Sequence, residues 1–162
     1  MLVGKKIIKM KKKFKMIPEG NMYRVKALRD FGNVKKGDKG GLIENEDNLS
    51  HEGECWVYNN AQVFGYAIVC GNAEIFGEAK VYSNAEIFDN AEVCSDADYI
   101  VFKNWWSCGR YFTWTRSNNM WRVGCFFGSG EELIKKAYSD SEEKGKEYER
   151  VVRYVESFTK KL

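Results

Sequence analysis

Any chemistry in this chain starts from one imidazole and five thiols. His51 is the only histidine, and the cysteines are Cys55, Cys70, Cys94, Cys108 and Cys125. One histidine cannot build a three-histidine metal centre. It could serve as a general base toward a hydroxyl or amine, since imidazole titrates near neutral pH. No orienting partner for it is evident in the sequence, which favours a packed or hydrogen-bonded structural role. Cys125, in Gly124-Cys125-Phe126 on an expected strand, has no second histidine to activate it and reads as a buried structural thiol. An odd cysteine count without a C-x-x-C pair, and no secretory or membrane-spanning stretch, point to a reduced, cytoplasmic setting. Phosphate-binding glycine loops, nucleophile elbows and paired-carboxylate motifs are absent from the sequence. The expectation is a non-enzymatic protein with no cofactor and no metal.

The elements that would position these residues follow from a repeat. Val57, Val63, Val69, Ile75, Val81, Ile87 and Val93 are six apart, and each is followed four residues later by Ala61, Ala67, Ala73, Ala79, Ala85, Ala91 or Ala97. Within each hexad the alanine and the next branched residue are two apart, so in a strand they point to one side. The pair before most alanines is Gly-Asn, Gly-Glu, Ser-Asn or Asp-Asn, types that accept turn geometry. Each hexad thus reads as a short strand and a corner, stable only when turns stack. Counting back, Ile43, Leu49 and Cys55 fall on the small-residue position and His51 on the inward branched position, in an irregular first turn beginning near Lys39. Cys70 and Cys94 fall on outward positions, open to reaction.

The tandem V/I-x-G/S-N-A-x pattern resembles the hexapeptide-repeat proteins, whose resemblance implies a left-handed parallel β-helix of three hexads per turn. A narrower likeness is carried by Tyr23 to Gly32, Val34 to Gly41, Asn48 to Gly53, Asp98-Tyr-Ile-Val101, Gly124-Cys-Phe126 and a helical tail. It is to small phage and prophage proteins of this type, and it departs at Lys103-Asn-Trp-Trp106. The fold class expected is mainly β: a short left-handed β-helix capped by a small antiparallel sheet and two C-terminal helices. The divisions are a basic N-terminal segment (1–22), the repeat (23–98) and an α+β cap (99–162).

In the cap, Tyr99 to Phe102, Tyr111 to Thr115 and Met120 to Phe127 read as strands. Ser129 to Glu132 and Asp140 to Glu143 carry capping-box spacing for two helix starts. Tyr148, Val151, Val152, Val155 and Leu162 form one apolar stripe on the second helix. Residues 1–15 hold seven lysines and no acid, so the net charge of +3 is those seven set against a surplus of four negative charges in the rest. Such a terminal run reads as solvated, and direct nucleic-acid binding is not expected.

Tyr58, Phe64, Phe76, Tyr82 and Phe88 fall on outward positions, and at eighteen-residue spacing Tyr58 stacks under Phe76 and Phe64 under Tyr82 as aromatic rows. Glu74, Glu86, Glu92 and Asp96 lie among them, and Lys80 is the only base between Ala61 and Asp98. Such a face suits a basic protein partner or a further copy of the chain, as a dimer or trimer. Joined to the resemblance, it favours a non-catalytic phage-type binding module that blocks a basic, nucleic-acid-binding host protein, such as a defence nuclease, in the manner of an anti-CRISPR protein. Two readings stand beside it. One is an acyltransferase-like enzyme using His51, as many hexapeptide-repeat proteins are. The other is a structural or sugar-binding phage accessory protein.

Overall fold

A computed structural model describes residues 11–104 and 108–159 of the 162-residue chain. Strands β1 (Phe14–Glu19) and β2 (Met22–Ala27) form a hairpin around Gly20, and β2 runs antiparallel to β3 (Lys39–Ile43). The alternation Phe14, Met16 against Lys15, Ile17 is strand spacing, so the supposedly solvated basic segment enters the sheet from Phe14 onward. Seven two-residue strands follow: β4 (Trp56–Val57), β5 (Gln62–Val63), β6 (Ile68–Val69), β7 (Glu74–Ile75), β8 (Lys80–Val81), β9 (Glu86–Ile87) and β10 (Glu92–Val93).

These strands pair only in parallel, every third with the next. β4, β7 and β10 make one ladder, β6 and β9 another, and β5 and β8 join β3 in the third. Val57 faces Ile75 and Ile75 faces Val93, so the chain returns to the same side after eighteen residues. All seven branched residues of the hexads are fully buried, and Ala61 through Ala91 are at most 2% exposed. The corners recur with the same period: Asn59, Gly65, Gly71, Gly77, Ser83 and Asp89 all have φ between 54° and 67°. That left-handed turn is what the small and amide-bearing residues supply. The series stops at Ser95 (φ −153°), and Ala97, expected inside, is exposed in a 3₁₀ turn.

Pairing also corrects the first turn. Ile43 faces Val63 and Leu49 faces Val69, a spacing of twenty. The turn therefore carries two extra residues, which fall between Leu49 and Cys55. Ile43 and Leu49 hold the branched position, and His51 sits in the inserted loop and not on an inward hexad position. Counting by six from Val57 cannot detect an even-numbered slip, because inside and outside stay in phase.

Both ends of the stack are closed. At one end, Trp56 packs its ring against Phe14 and Phe31. At the other, among the described residues, no further parallel strand receives the N–H groups of the last turn. Side chains do: Lys80 N–H donates to Asp96 Oδ1 (2.7 Å), Glu86 N–H to Thr113 Oγ1 (3.0 Å) and Glu92 N–H to Ser117 Oγ (2.8 Å). Each of the three ladders thus ends on one side-chain acceptor, which relieves the problem of unpaired strand edges.

Thr113 lies on β12 and Ser117 in the turn after it, in an antiparallel sheet of β11 (Tyr99–Asn104), β12 (Arg110–Thr115), β13 (Met120–Val123) and β14 (Phe126–Ser129), in that order. What the sequence suggests as one strand from Met120 to Phe127 is two, folded back at Gly124 (φ 56°). Cys125 lies in that turn and is exposed, so it is not the buried strand thiol expected. Helices α1 (Gly130–Asp140) and α2 (Glu142–Thr159) pack on the sheet through Leu133, Ala137, Tyr148, Val152 and Val155 against Phe112 and Trp121. Ser129 and Glu132 make the expected capping box. The second start is displaced by one: Ser141, not Asp140, accepts from the Lys144 N–H. Leu162, the last residue of the expected stripe, lies outside the described residues. Among the described residues no helix is long and apolar enough to cross a membrane.

Candidate functional site

The inserted loop and the start of the N-terminal hairpin bring together the titratable groups that sequence spacing leaves apart. His51 lies flat on Phe14, ring centroids 4.1 Å apart and 15° from parallel. Its Nδ1 accepts the backbone N–H of Lys13 at 3.1 Å, and its Nε2 lies 2.8 Å from Glu46 Oε1. A backbone N–H can only donate, so Nδ1 holds the lone pair and Nε2 carries the proton, donated to Glu46. Sequence reading found no orienting partner; the structure supplies Glu46, five residues upstream, and Lys12, whose Nζ also reaches Glu46 Oε1 at 2.8 Å. The Lys12 hydrogen bond, and then that of His51, hold the Glu46 carboxyl below its ordinary value. This makes Glu46 a poor proton acceptor at neutral pH. Nε2 offers a lone pair only in the other tautomer, with the Lys13 N–H gone from Nδ1 and the ring proton moved there, because one neutral ring offers one lone pair.

Beneath the ring is a residue hidden in the lysine run. Lys13 is fully buried. Its ammonium nitrogen lies 2.8 Å from the Cys55 carbonyl, 3.2 Å from Cys55 Sγ, 3.4 Å from the Gly53 carbonyl and 5.0 Å above the Phe31 ring. Burial pushes its pKa down, and burial likewise pushes the Cys55 thiol up. Charge counting placed Lys13 in solvent; Phe14 and Met16 on strand spacing were the available signal that this stretch is structured. Among the described residues no three His, Cys, Asp or Glu side chains converge as a metal site needs.

The aromatic rows form as their spacing implies. Tyr58 stacks on Phe76 at 4.7 Å and Phe64 on Tyr82 at 5.2 Å, both nearly parallel. Only Tyr82 of these is substantially exposed, at 46%. Phe88 is covered by the chain itself, through Phe127 at 5.2 Å and the Arg122 guanidinium at 4.9 Å. The acids are largely engaged internally: Glu74 accepts from the Tyr58 hydroxyl, Glu86 pairs with Arg122 at 2.8 Å, and Asp96 caps Lys80, while Glu92 is exposed.

Burial, and then Glu74, push the Tyr58 phenol up to about 12, and burial pushes the outward thiol of Cys70 up to about 12. A raised folded pKa gives stability that is complete below the unfolded value and lost as pH climbs toward the folded one. Melting temperature should therefore fall from about pH 8.5, the free-thiol value, toward 12. Cys70→Ala should flatten the first part of that decline; an unchanged profile would contradict the buried-thiol assignment.

A cleft of about 580 Å³ in the C-terminal half is bordered by Arg110, Lys136 and Lys144, with Asp140 between the lysines and Cys125 at its wall. It holds none of the residues singled out by the repeat.

No family model matches the chain. One relative is the protein named "Uncharacterized acetyltransferase YdcK" of Escherichia coli (strain K12), 46% identical over 44 residues. The match takes in 26% of this chain, which spans only 14% of that relative's length. This likeness overturns the non-catalytic, anti-CRISPR-like expectation and with it the expectation that the chain is no enzyme. Most of the aromatics and acids expected to form a partner surface are engaged within the chain. What the chain is similar to is thus a stretch of an acetyltransferase, on a mainly β frame of parallel ladders followed by an antiparallel sheet and two helices.

Proposed function

We propose that the hexads form a short left-handed parallel β-helix of hexapeptide-repeat type, and that the chain is an acyltransferase-like protein using an acyl thioester of coenzyme A. The observation that carries this reading is the eighteen-residue return with alanine at every corner, in a chain similar over 44 residues to a named acetyltransferase. His51 is the residue that takes the proton of the acceptor hydroxyl or amine as its oxygen or nitrogen attacks the thioester carbonyl; the C–S bond then breaks and coenzyme A leaves as the thiol with that proton. Its Nε2 becomes the base in the other tautomer, once the Lys13 N–H has left Nδ1 and the ring proton has moved from Nε2 to Nδ1, while Phe14 keeps the ring plane fixed.

The test is a melting scan of the full chain with acetyl coenzyme A, coupled to mass spectrometric detection of free coenzyme A with an amino sugar and a polyamine as acceptors. Acetyl coenzyme A should raise the melting temperature. An acetylated acceptor should form, and His51→Ala should slow that step by about 10²–10⁴-fold. No melting shift at millimolar donor, together with no coenzyme A release above buffer, would refute the reading.

A further inference from the structure

We propose that Lys13 and Cys55 are a modification site, joined by a covalent nitrogen–sulfur bond when the protein meets hydrogen peroxide.

Three observations converge on this pair. The amine nitrogen is 3.2 Å from the sulfur, at van der Waals contact and across 42 residues of chain. The Lys13 side chain is fully buried yet, among the described residues, has no carboxylate partner; its contacts are carbonyl oxygens and the thiol. Those carbonyls, that of Cys55 at 2.8 Å foremost, hold the nitrogen beside Sγ. Burial also favours the uncharged amine, the form with a lone pair to offer. An ordinary buried lysine is paired with an acid, since an unpaired buried charge is costly.

The chemistry is two steps. The Cys55 sulfur, its proton passing to the neighbouring amine, attacks one peroxide oxygen. The S–O bond forms, the O–O bond breaks, and the departing hydroxide leaves as water with that proton. The resulting sulfenic acid is the species that condenses with a nearby nitrogen. Lys13 Nζ then attacks sulfur, the N–S bond forms, the S–O bond breaks, and a second water departs carrying a proton from the amine. One peroxide is reduced to two waters, sulfur is oxidised by two electrons, and the protein loses two hydrogens. Both side chains are buried, so peroxide reaches them through a local opening of the structure around Lys13.

The consequence is mechanical. The bond ties the entry to β1 onto the base of the loop that carries His51, and fixes the Lys13 N–H against the ring.

The full chain is to be treated with hydrogen peroxide, quenched, alkylated, digested with trypsin and mapped by tandem mass spectrometry. Expected is a peptide containing Lys13 joined to the Cys55 peptide, with two hydrogens missing, no tryptic cleavage after Lys13, and release by dithiothreitol. The treated protein should melt about 5–15 °C higher, as closure of a long loop implies. Lys13→Arg and Cys55→Ala should each abolish the joined peptide; if one variant fails to fold, the other serves. Oxygen adducts on Cys55 with Lys13 still cleavable would overturn the proposal. So would a Cys55 disulfide, or a Cys55 that stays alkylatable while Cys94 and Cys125 are oxidised.

Discussion

Ile75→Ala lowers the unfolding free energy by about 2–5 kcal/mol, read from urea titration with the m-value unchanged. Ile75 is fully buried on the central strand of its ladder, with Val57 on one side and Val93 on the other. Its neighbours are held at strand spacing by backbone bonds such as Tyr58 N–H to the Ile75 carbonyl (2.7 Å) and Phe76 N–H to the Val93 carbonyl (2.8 Å). The walls cannot close on the void, so the loss includes the cavity and not only the lost transfer energy. The control is Ile68→Ala. Ile68 is also a branched residue in a hexad, but it points outward and is 39% exposed. Its removal should change stability by no more than about 0.5 kcal/mol. Equal losses at the two sites would mean that the inside and outside of the hexads have been misassigned.

Gly53→Ala should cost about 2–5 kcal/mol, from two sources. Gly53 has φ 66°, a conformation that penalises any Cβ by about 1–2 kcal/mol. A Cβ there would also stand 2.2 Å from the Gly71 carbonyl oxygen, backbone of the next turn, which cannot swing away as a side chain could. Overpacking of this kind adds about 1–3 kcal/mol. Gly20→Ala separates the two sources, because Gly20 has φ 63° with nothing within 4 Å of the added atom. It should lose only the conformational part. Thermal melts and urea titrations of the pair measure the difference, and a Gly53→Ala protein no weaker than Gly20→Ala would place the adjacent turns farther apart than the ladders require. The Gly53 variant should also disturb Lys13 and His51, since the Gly53 carbonyl receives the Lys13 ammonium.

These two residues mark what was legible in the sequence and what was not. Period six, alanine beside each corner and turn-forming residues between them are local facts, and each follows from one strand and one bend. They were enough to place Val57 through Val93 inside and Tyr58, Phe64, Phe76 and Tyr82 in stacked rows. They failed where the repeat ends. Ala97 keeps the spacing but has no further turn to face, so its backbone bends into a 3₁₀ turn and Asp96 caps Lys80 instead. They failed also at His51, where two inserted residues preserve the alternation of sides while moving the ring out of the stack. The clue was present: Ile43 and Leu49 are branched residues in the wrong phase relative to Val57, as an insertion of two would make them.

The sequence by itself determined the repeat, the position of its corners, the Ser129 helix start and the absence of a multi-histidine metal centre, because each depends on residues near one another along the chain. Only the tertiary structure decided that Lys13, among seven N-terminal lysines, is buried against Cys55, that Glu46 and Phe14 orient His51, and that Thr113 and Ser117 finish the last turn. Those contacts join residues 5 to 42 positions apart. Which lysine loses its water is settled by where the hairpin crosses the first turn, and charge counted along a chain carries no record of that crossing.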